Sequence, residues 1–249
     1  MQNNTSAKKG EGMVRKYKIA DVVFDAEFNY AYTADLCKNY VYEGQEPSTF
    51  FIKVSHQEIA NEVADSEEVN YPEYLESLAV YRKFLAQLLP LGGTIIHSSA
   101  IAVDGKAYLF TAPSGTGKST HASLWRELLG EKAVMVNDDK PVIRLIDGDF
   151  YVYGTPWNGK HSLDTNCSVK IKAICKLDRA KENSISRLES KEVLPMLLTQ
   201  TLRPTNLGDY DKLLGLLQEL MNRVDFYHLK CNKDISSAEL SYKEMSKEN

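Results

Sequence analysis

The 249-residue sequence contains no apolar run approaching the roughly 18 residues that a membrane-crossing helix needs. Its first residues, Met1-Gln2-Asn3-Asn4-Thr5-Ser6, are polar where a secretory signal would carry its apolar core. Neither sign of charge prevails. Thirty Lys and Arg against 34 Asp and Glu leave a net charge of -4, so no global basic field points to nucleic acid or an anionic membrane. Cysteine is sparse: Cys37, Cys167, Cys175 and Cys231 form no C-x-x-C pair, and even Cys167 and Cys175 lie too far apart for a zinc knuckle. Reduced, structural thiols are expected. His56, His121, His161 and His228 show no H-E-x-x-H or comparable spacing, which argues against a zinc enzyme. These absences together predict a soluble, cytoplasmic protein, with the basic start (Lys8, Lys9, Arg15, Lys16, Lys18) as a solvated segment.

What is present reads as α/β. Residues 1–13 are polar and are expected to form a disordered tail. Residues 14–92 form a β-rich N-terminal region plus a helix. Tyr, Phe, Val and Ile dominate from Val14 to Val54, Asp65–Asn70 reads as a loop, and helically spaced Tyr and Leu residues run from Pro72 to Pro90. Residues 93–249 would then be the second domain. Two Asp-Gly dipeptides, Asp104-Gly105 and Asp147-Gly148, each sit between apolar segments and predict type I′ hairpins. Between them lie a helix ending at Gly130 and a short strand, Val134-Met135-Val136. Val169–Leu177 reads as another strand, and leucine-rich helices follow. Phe226–Leu229 suggests a last strand, and Ser236-x-x-Glu239 matches a capping box for a terminal helix.

One segment carries chemistry. Ala112-Pro113-Ser114-Gly115-Thr116-Gly117-Lys118-Ser119-Thr120 lies between a predicted strand and a predicted helix, and matches the phosphate-loop pattern except that Ala112 replaces the first glycine. Gly115 and Gly117 allow the backbone to curl so that its N–H groups face phosphate oxygens, and the helix N-terminus adds its dipole. Lys118 supplies a positive charge and Ser119 a hydroxyl for Mg²⁺. A glycine-rich turn with a chance Lys-Ser is the bland alternative, and the flanking strand and helix argue against it. About twenty residues on, the strand Val134–Val136 ends in Asn137-Asp138-Asp139. Adjacent carboxylates at a strand end suit a magnesium site, and alternation lets one hold metal while the other takes a proton. His97 precedes the first hairpin, where a satisfied core histidine is the plain alternative.

At these residues the chain resembles the HPr kinase/phosphoenolpyruvate carboxykinase superfamily. Ser114–Thr120 is similar to the carboxykinase phosphate loop, Asn137-Asp138-Asp139 resembles the paired-Asp motif of both branches, and His97 resembles the histidine preceding the loop in HPr kinases. The resemblance covers roughly residues 94 to 160. It implies a mixed β-sheet P-loop fold and a catalytic domain over 93–249, preceded by the β-rich region and ending in helices. It further implies ATP and Mg²⁺ as cofactors, nucleotide binding by Ser114 to Thr120, and Ser119 and Asp139 on the metal. Asp138 would be the base, with Lys118 and His97 assisting at the phosphate. The chain carries Thr120 where HPr kinases have an acidic residue. It is also too short for a carboxykinase proper, and it is most similar to compact HPr-kinase-like enzymes that phosphorylate a peptide serine.

The expected activity is transfer of the γ-phosphoryl group to a hydroxyl, serine of a peptide or protein first. A small molecule such as free serine, or a nucleotide-binding sensor without transfer, are the alternatives, and Ala112 is the feature favouring the last. Trp157 and Lys160, in the loop after the second hairpin, are candidates for a substrate or phosphate clamp. Trp157 packed on the core is the alternative reading of that loop. Arg203 is a candidate charge-stabilising arginine, or simply a favourable helix end. Cys175-Lys176-Leu177-Asp178 shares Lys and Asp with the guanine-reading N-K-x-D element but lacks its Asn, so it is not read as one, and the base preference stays open. Expected partners are a hydroxyl acceptor, no nucleic acid and no membrane, with homo-oligomers implied by the resemblance alone.

Overall fold

The computed structural model describes residues 14–62 and 71–247. The tail expected over 1–13 and the loop expected over 65–70 lie outside the described residues. The chain divides into two compact units, 1–87 and 88–249. Among the described residues, no helix is long and apolar enough to cross a membrane.

The first unit holds a three-stranded sheet of β1 (Arg15–Ile19), β2 (Val22–Glu27) and β3 (Phe51–Lys53). Strands β1 and β2 form a hairpin whose turn residues, Ala20 and Asp21, both have positive φ. The expectation of strand throughout 14–54 fails in the middle, where α1 (Ala31–Leu36) interrupts it. The reason is tertiary. Helix α1 has no side-chain cap of its own. Instead Glu76, fully buried on α3 (Pro72–Leu88), accepts hydrogen bonds from the Asn29 and Tyr30 backbone N–H groups at 2.6 and 3.2 Å, from Asn29 Nδ2 at 2.8 Å and from Thr33 Oγ1 at 2.6 Å. A carboxylate at a helix start satisfies donors that would otherwise be orphaned. Helix α2 (His56–Asn61) is capped locally by Ser55 and Glu58. Tyr17, Phe24, Phe28, Phe50 and Phe84 form the aromatic centre of this unit.

In the second unit a curled, mixed sheet runs in the order β4 (Gly93–Ile95), β8 (Val142–Ile146), β9 (Asp149–Tyr153), β10 (Ser168–Arg179), β6 (Lys106–Thr111), β5 (Ser98–Val103), β7 (Val134–Asn137). β12 (Asp225–Cys231) pairs with the second half of β10 and carries β11 (Ser184–Arg187) on its other side. The predicted hairpins are β5–β6 and β8–β9, with positive φ at Asp104, Gly105, Asp147 and Gly148. β6 is buried on both faces. Ala107 and Leu109 face α5 (Ser190–Gln200) and α6 (Leu207–Arg223), through Leu197, Leu213 and Leu217. Tyr108 and Phe110 face α4 (Lys118–Leu129) and α7 (Ile235–Met245), through Trp125 and Met245. Period-2 alternation between two apolar layers explains the unbroken apolar run of this strand. Helix α7 is capped by Asp234 rather than by Ser236, because Asp234 Oδ1 accepts from the Ser236 N–H at 2.9 Å.

Helices α4 and α7 are joined by a buried polar knot. Ser241 Oγ donates to Ala238 O at 3.1 Å and accepts from Trp125 Nε1 at 2.8 Å, so its contact at 3.0 Å with His121 Nε2 requires the imidazole to donate. His121 Nδ1 is buried without a partner, and burial pushes the His121 pKa down from 6.5 to about 4.

Glu76→Gln places an amide against donors that Glu76 accepts from, and should lower the unfolding free energy by about 2 kcal/mol in urea titrations. His121 stays neutral in the folded chain to about pH 4 but protonates near 6.5 when unfolded. The unfolded state therefore binds the extra proton between those values, and up to about 3 kcal/mol of stability is lost as pH falls from 6.5 towards 4. His121→Gln should flatten that slope in a series of thermal melts.

Candidate functional site

The site is assembled at one edge of the second unit's sheet by strand direction. β5 is antiparallel to β6 and pairs Ser98 with Thr111, so the start of β5 lies beside the end of β6. β7 is antiparallel to β5, hence parallel to β6, and its end reaches the same edge. β10 and β12 run parallel to β6 and end there too. Five strand termini thus place His97, residues 112–120, Asn137–Asp139 and the ends of β10 and β12 together.

Between β6 and α4, Gly115 and Gly117 adopt φ of +74° and +125°, conformations that disfavour any Cβ although the space beside each is open. Ala112 is buried and is not among the positive-φ residues, so the loop needs no glycine there. Ser114 and Thr120 are exposed, while Thr116 and Ser119 are half-buried. Lys118 is buried and its Nζ donates to Ala112 O at 2.9 Å. Burial pushes its pKa down, opposed by the negative charges of Asp139 and Asp138. Arg179, at the end of β10, donates from Nε to Thr116 O at 3.1 Å and from Nη2 to Gly115 O. Those bonds tie the loop carbonyls to the end of β10.

At the end of β7, Asn137 organises the turn. Its Oδ1 accepts from the Asp139 and Lys140 backbone N–H groups at 2.9 and 2.8 Å, and its Nδ2 donates to Thr155 O at 3.0 Å. Asp138 is buried and its Oδ1 accepts from Ser99 Oγ at 2.6 Å. Asp139 is half-buried, with Lys140 Nζ at 2.5 Å from Oδ2 and His97 Nδ1 at 3.4 Å from Oδ1. The His97 backbone is pinned on both sides, donating to Gln200 O at 2.7 Å and accepting from Thr111 Oγ1 at 2.9 Å.

The loop after β9 passes over Asp139. A Cβ on Gly159, which has φ of +71°, would lie 3.0 Å from Asp139 Cβ. Trp157 is buried at 5% exposure, whereas Lys160 is exposed. Arg203 is exposed, three residues beyond the Gln200 that touches His97. Ser99, Lys140 and Arg179 were not singled out by sequence. Lys140 directly follows the Asp pair and could have been noticed, but Ser99 and Arg179 are revealed only by strand pairing.

Such an edge can seat a polyanion on backbone N–H groups and Lys118, with two carboxylates and a second lysine beside its end. Among the described residues, no group of three or more His, Cys, Asp or Glu forms a dedicated metal cage.

No protein-family model and no curated protein matches the chain. A solved structure with detectable likeness is the Hpr(Ser) kinase/phosphatase from Coxiella burnetii, 10% identical over 60% of this chain and 95% of that chain, with a TM-score of 0.32. A likeness at that score carries no weight beside the geometry of the chain itself.

The ordinary φ and buried methyl of Ala112 lead to an expected outcome. Ala112→Gly should lower stability by about 1 kcal/mol and leave the affinity for inorganic tripolyphosphate unchanged within about twofold, read by denaturation and calorimetry.

Proposed function

We propose that the chain is an ATP- and Mg²⁺-dependent phosphotransferase, HPr-kinase-like in the arrangement of its loop and paired carboxylates. It would move the γ-phosphoryl group to a hydroxyl, serine of a peptide or protein in the first instance. The observation that carries this reading is the convergence of Lys118, Asp138, Asp139 and His97 on one sheet edge, by the pairing of β5 with β6 and β7. Ala112 is not among the positive-φ residues, so its methyl is compatible with the backbone of the loop.

In this mechanism the loop N–H groups and the positive end of α4 bind the phosphate oxygens, and Lys118 turns from Ala112 O towards them. The Asp139 and Ser119 oxygens are hard donors of the kind Mg²⁺ takes alongside phosphate and water, so the residues present fit it. When bound, the metal would neutralise charge on the phosphate oxygens. Asp138, held in place by Ser99, takes the proton of the acceptor hydroxyl. That oxygen bonds to the γ-phosphorus as the bond from phosphorus to the β–γ bridging oxygen breaks, and ADP leaves. Asp139, with His97 and Lys140 beside it, would hold the metal. Lys160, on the loop that crosses Asp139, and Arg203 are the exposed cations available to an acceptor or phosphate.

The test is incubation with γ-labelled ATP, Mg²⁺ and a source extract separated into macromolecular and small-molecule fractions. Label should enter the peptide or protein fraction; label confined to the small-molecule fraction would move the acceptor to a metabolite. Lys118→Ala should abolish transfer, and full activity in that variant would sink the reading. Asp138→Asn should lose at least about 100-fold in turnover while retaining ATP binding.

A further inference from the structure

The ends of β10 and β12 enclose, with the first turns of α4, a cleft of about 210 Å³ that shares Thr116 and Gly117 with the phosphate loop. Its other walls include Leu124, Leu177, Ala180 and Cys231, and its rim includes Asp178 and Arg179. The volume is below the roughly 300 Å³ at which sites for whole drug-sized ligands begin, and suits a planar ring system rather than an entire nucleotide. The cleft also lies on a definite side. In the order β7–β5–β6–β10–β12, the loop springs from the middle strand. The carboxylates of β7 are two strands away on one side, and the cleft is on the other. A nucleotide whose phosphate chain crosses the loop with its γ end at Asp138 and Asp139 must put its base on the cleft side.

We propose that this cleft is the nucleobase subsite and that it takes adenine in preference to guanine. The inference rests on the nucleotide reading above and adds to it residues 177–180 and 231, which that reading does not use. Apolar walls suit a base held by its faces. The cleft contains the Asp of Cys175-Lys176-Leu177-Asp178, which a guanine reader would aim at two adjacent N–H donors with both carboxylate oxygens. Here Asp178 is already engaged. Its Oδ2 accepts from His228 Nε2 at 2.7 Å, on the neighbouring strand β12, and faces Lys176 Nζ at 3.4 Å. Arg179 is likewise committed to the loop carbonyls, which makes the cleft wall and the phosphate loop one connected piece. His121, in the same wall, is neutral at physiological pH, so the charged side chains lining the cleft are Asp178, Arg179 and Lys233.

Cys231 is a built-in reporter. It is half-buried in the cleft wall, and Cys167, half-buried at the other end of β10, serves as the internal control. The purified protein is alkylated with a maleimide in Mg²⁺ alone, or with ATP, GTP or inorganic tripolyphosphate, and each thiol is followed by mass spectrometry. ATP should slow labelling of Cys231 by about tenfold and leave Cys167 unaffected, with GTP needing at least about tenfold higher concentration for the same protection. Tripolyphosphate should bind competitively with ATP yet leave Cys231 unprotected. Ala180→Phe, which fills the cleft, should weaken ATP binding by about tenfold or more with tripolyphosphate binding unchanged. Equal protection by ATP and tripolyphosphate, or an Ala180→Phe variant that binds ATP like the parent, would overturn the cleft assignment while the phosphate loop stands. Equal protection by GTP would overturn the preference for adenine. Failure of the parent protein to bind tripolyphosphate at all would bring down both the loop reading and this inference.

Discussion

The antiparallel pairing that sets Ser98 opposite Thr111 governs the whole candidate site. It makes the chain that enters β5 meet the chain that leaves β6, so His97 and the loop 112–120 become neighbours although fifteen or more residues separate them in sequence. Because β5 also pairs with β7, the same strand transmits direction to a third element and turns Asp138 and Asp139 to the same edge. A slip of one residue in this register would exchange the two faces of β5 and move Ser99 away from Asp138. Burial on both faces is what prevents such a slip, since Tyr108 and Phe110 fit one apolar layer and Leu109 the other.

Within that frame, the charges are balanced by position more than by number. Lys118 is buried, which disfavours its charge, and the two aspartates oppose that effect. Asp139 shares its oxygens between Lys140 and His97, and Asp138 is held by a neutral hydroxyl. An unpaired ion in this setting would be costly, and the facing Lys140, the Ser99 hydroxyl and the two aspartates beside Lys118 reduce that cost. The result is that Asp138, Asp139 and His97 are held by neighbouring side-chain and backbone groups within the chain itself.

The first unit shows the same dependence on a distant partner in a purely structural setting. Residues 29–33 are rich in types that favour strands, yet a helix begins at Ala31, where the Glu76 carboxylate, more than forty residues later, accepts from the N–H groups of Asn29 and Tyr30 just before it and from the Thr33 hydroxyl in its first turn. Local propensity is a weak prior, and one buried charged acceptor outweighs it.

Where the deciding interactions are local, the sequence was sufficient. Asp-Gly predicted both hairpins because positive φ at two consecutive positions is a property of those residues themselves. The spacing of Gly115, Gly117 and Lys118 between a strand and a helix marked the loop for the same reason, and the helices α3, α4 and α6 were legible from their periodicity. What tertiary structure alone decided is everything that requires two distant segments. The helix in place of strand at Ala31–Leu36 and the edge strand β11 are examples in the fold. In the site, the tertiary structure alone decided the hydroxyl of Ser99 on Asp138, Arg179 on the loop carbonyls, the burial of Trp157, and the engagement of Asp178 by His228. Each of these depends on strand order and register, and those are set by how apolar faces close over a shared core rather than by the neighbours of any one residue in the chain.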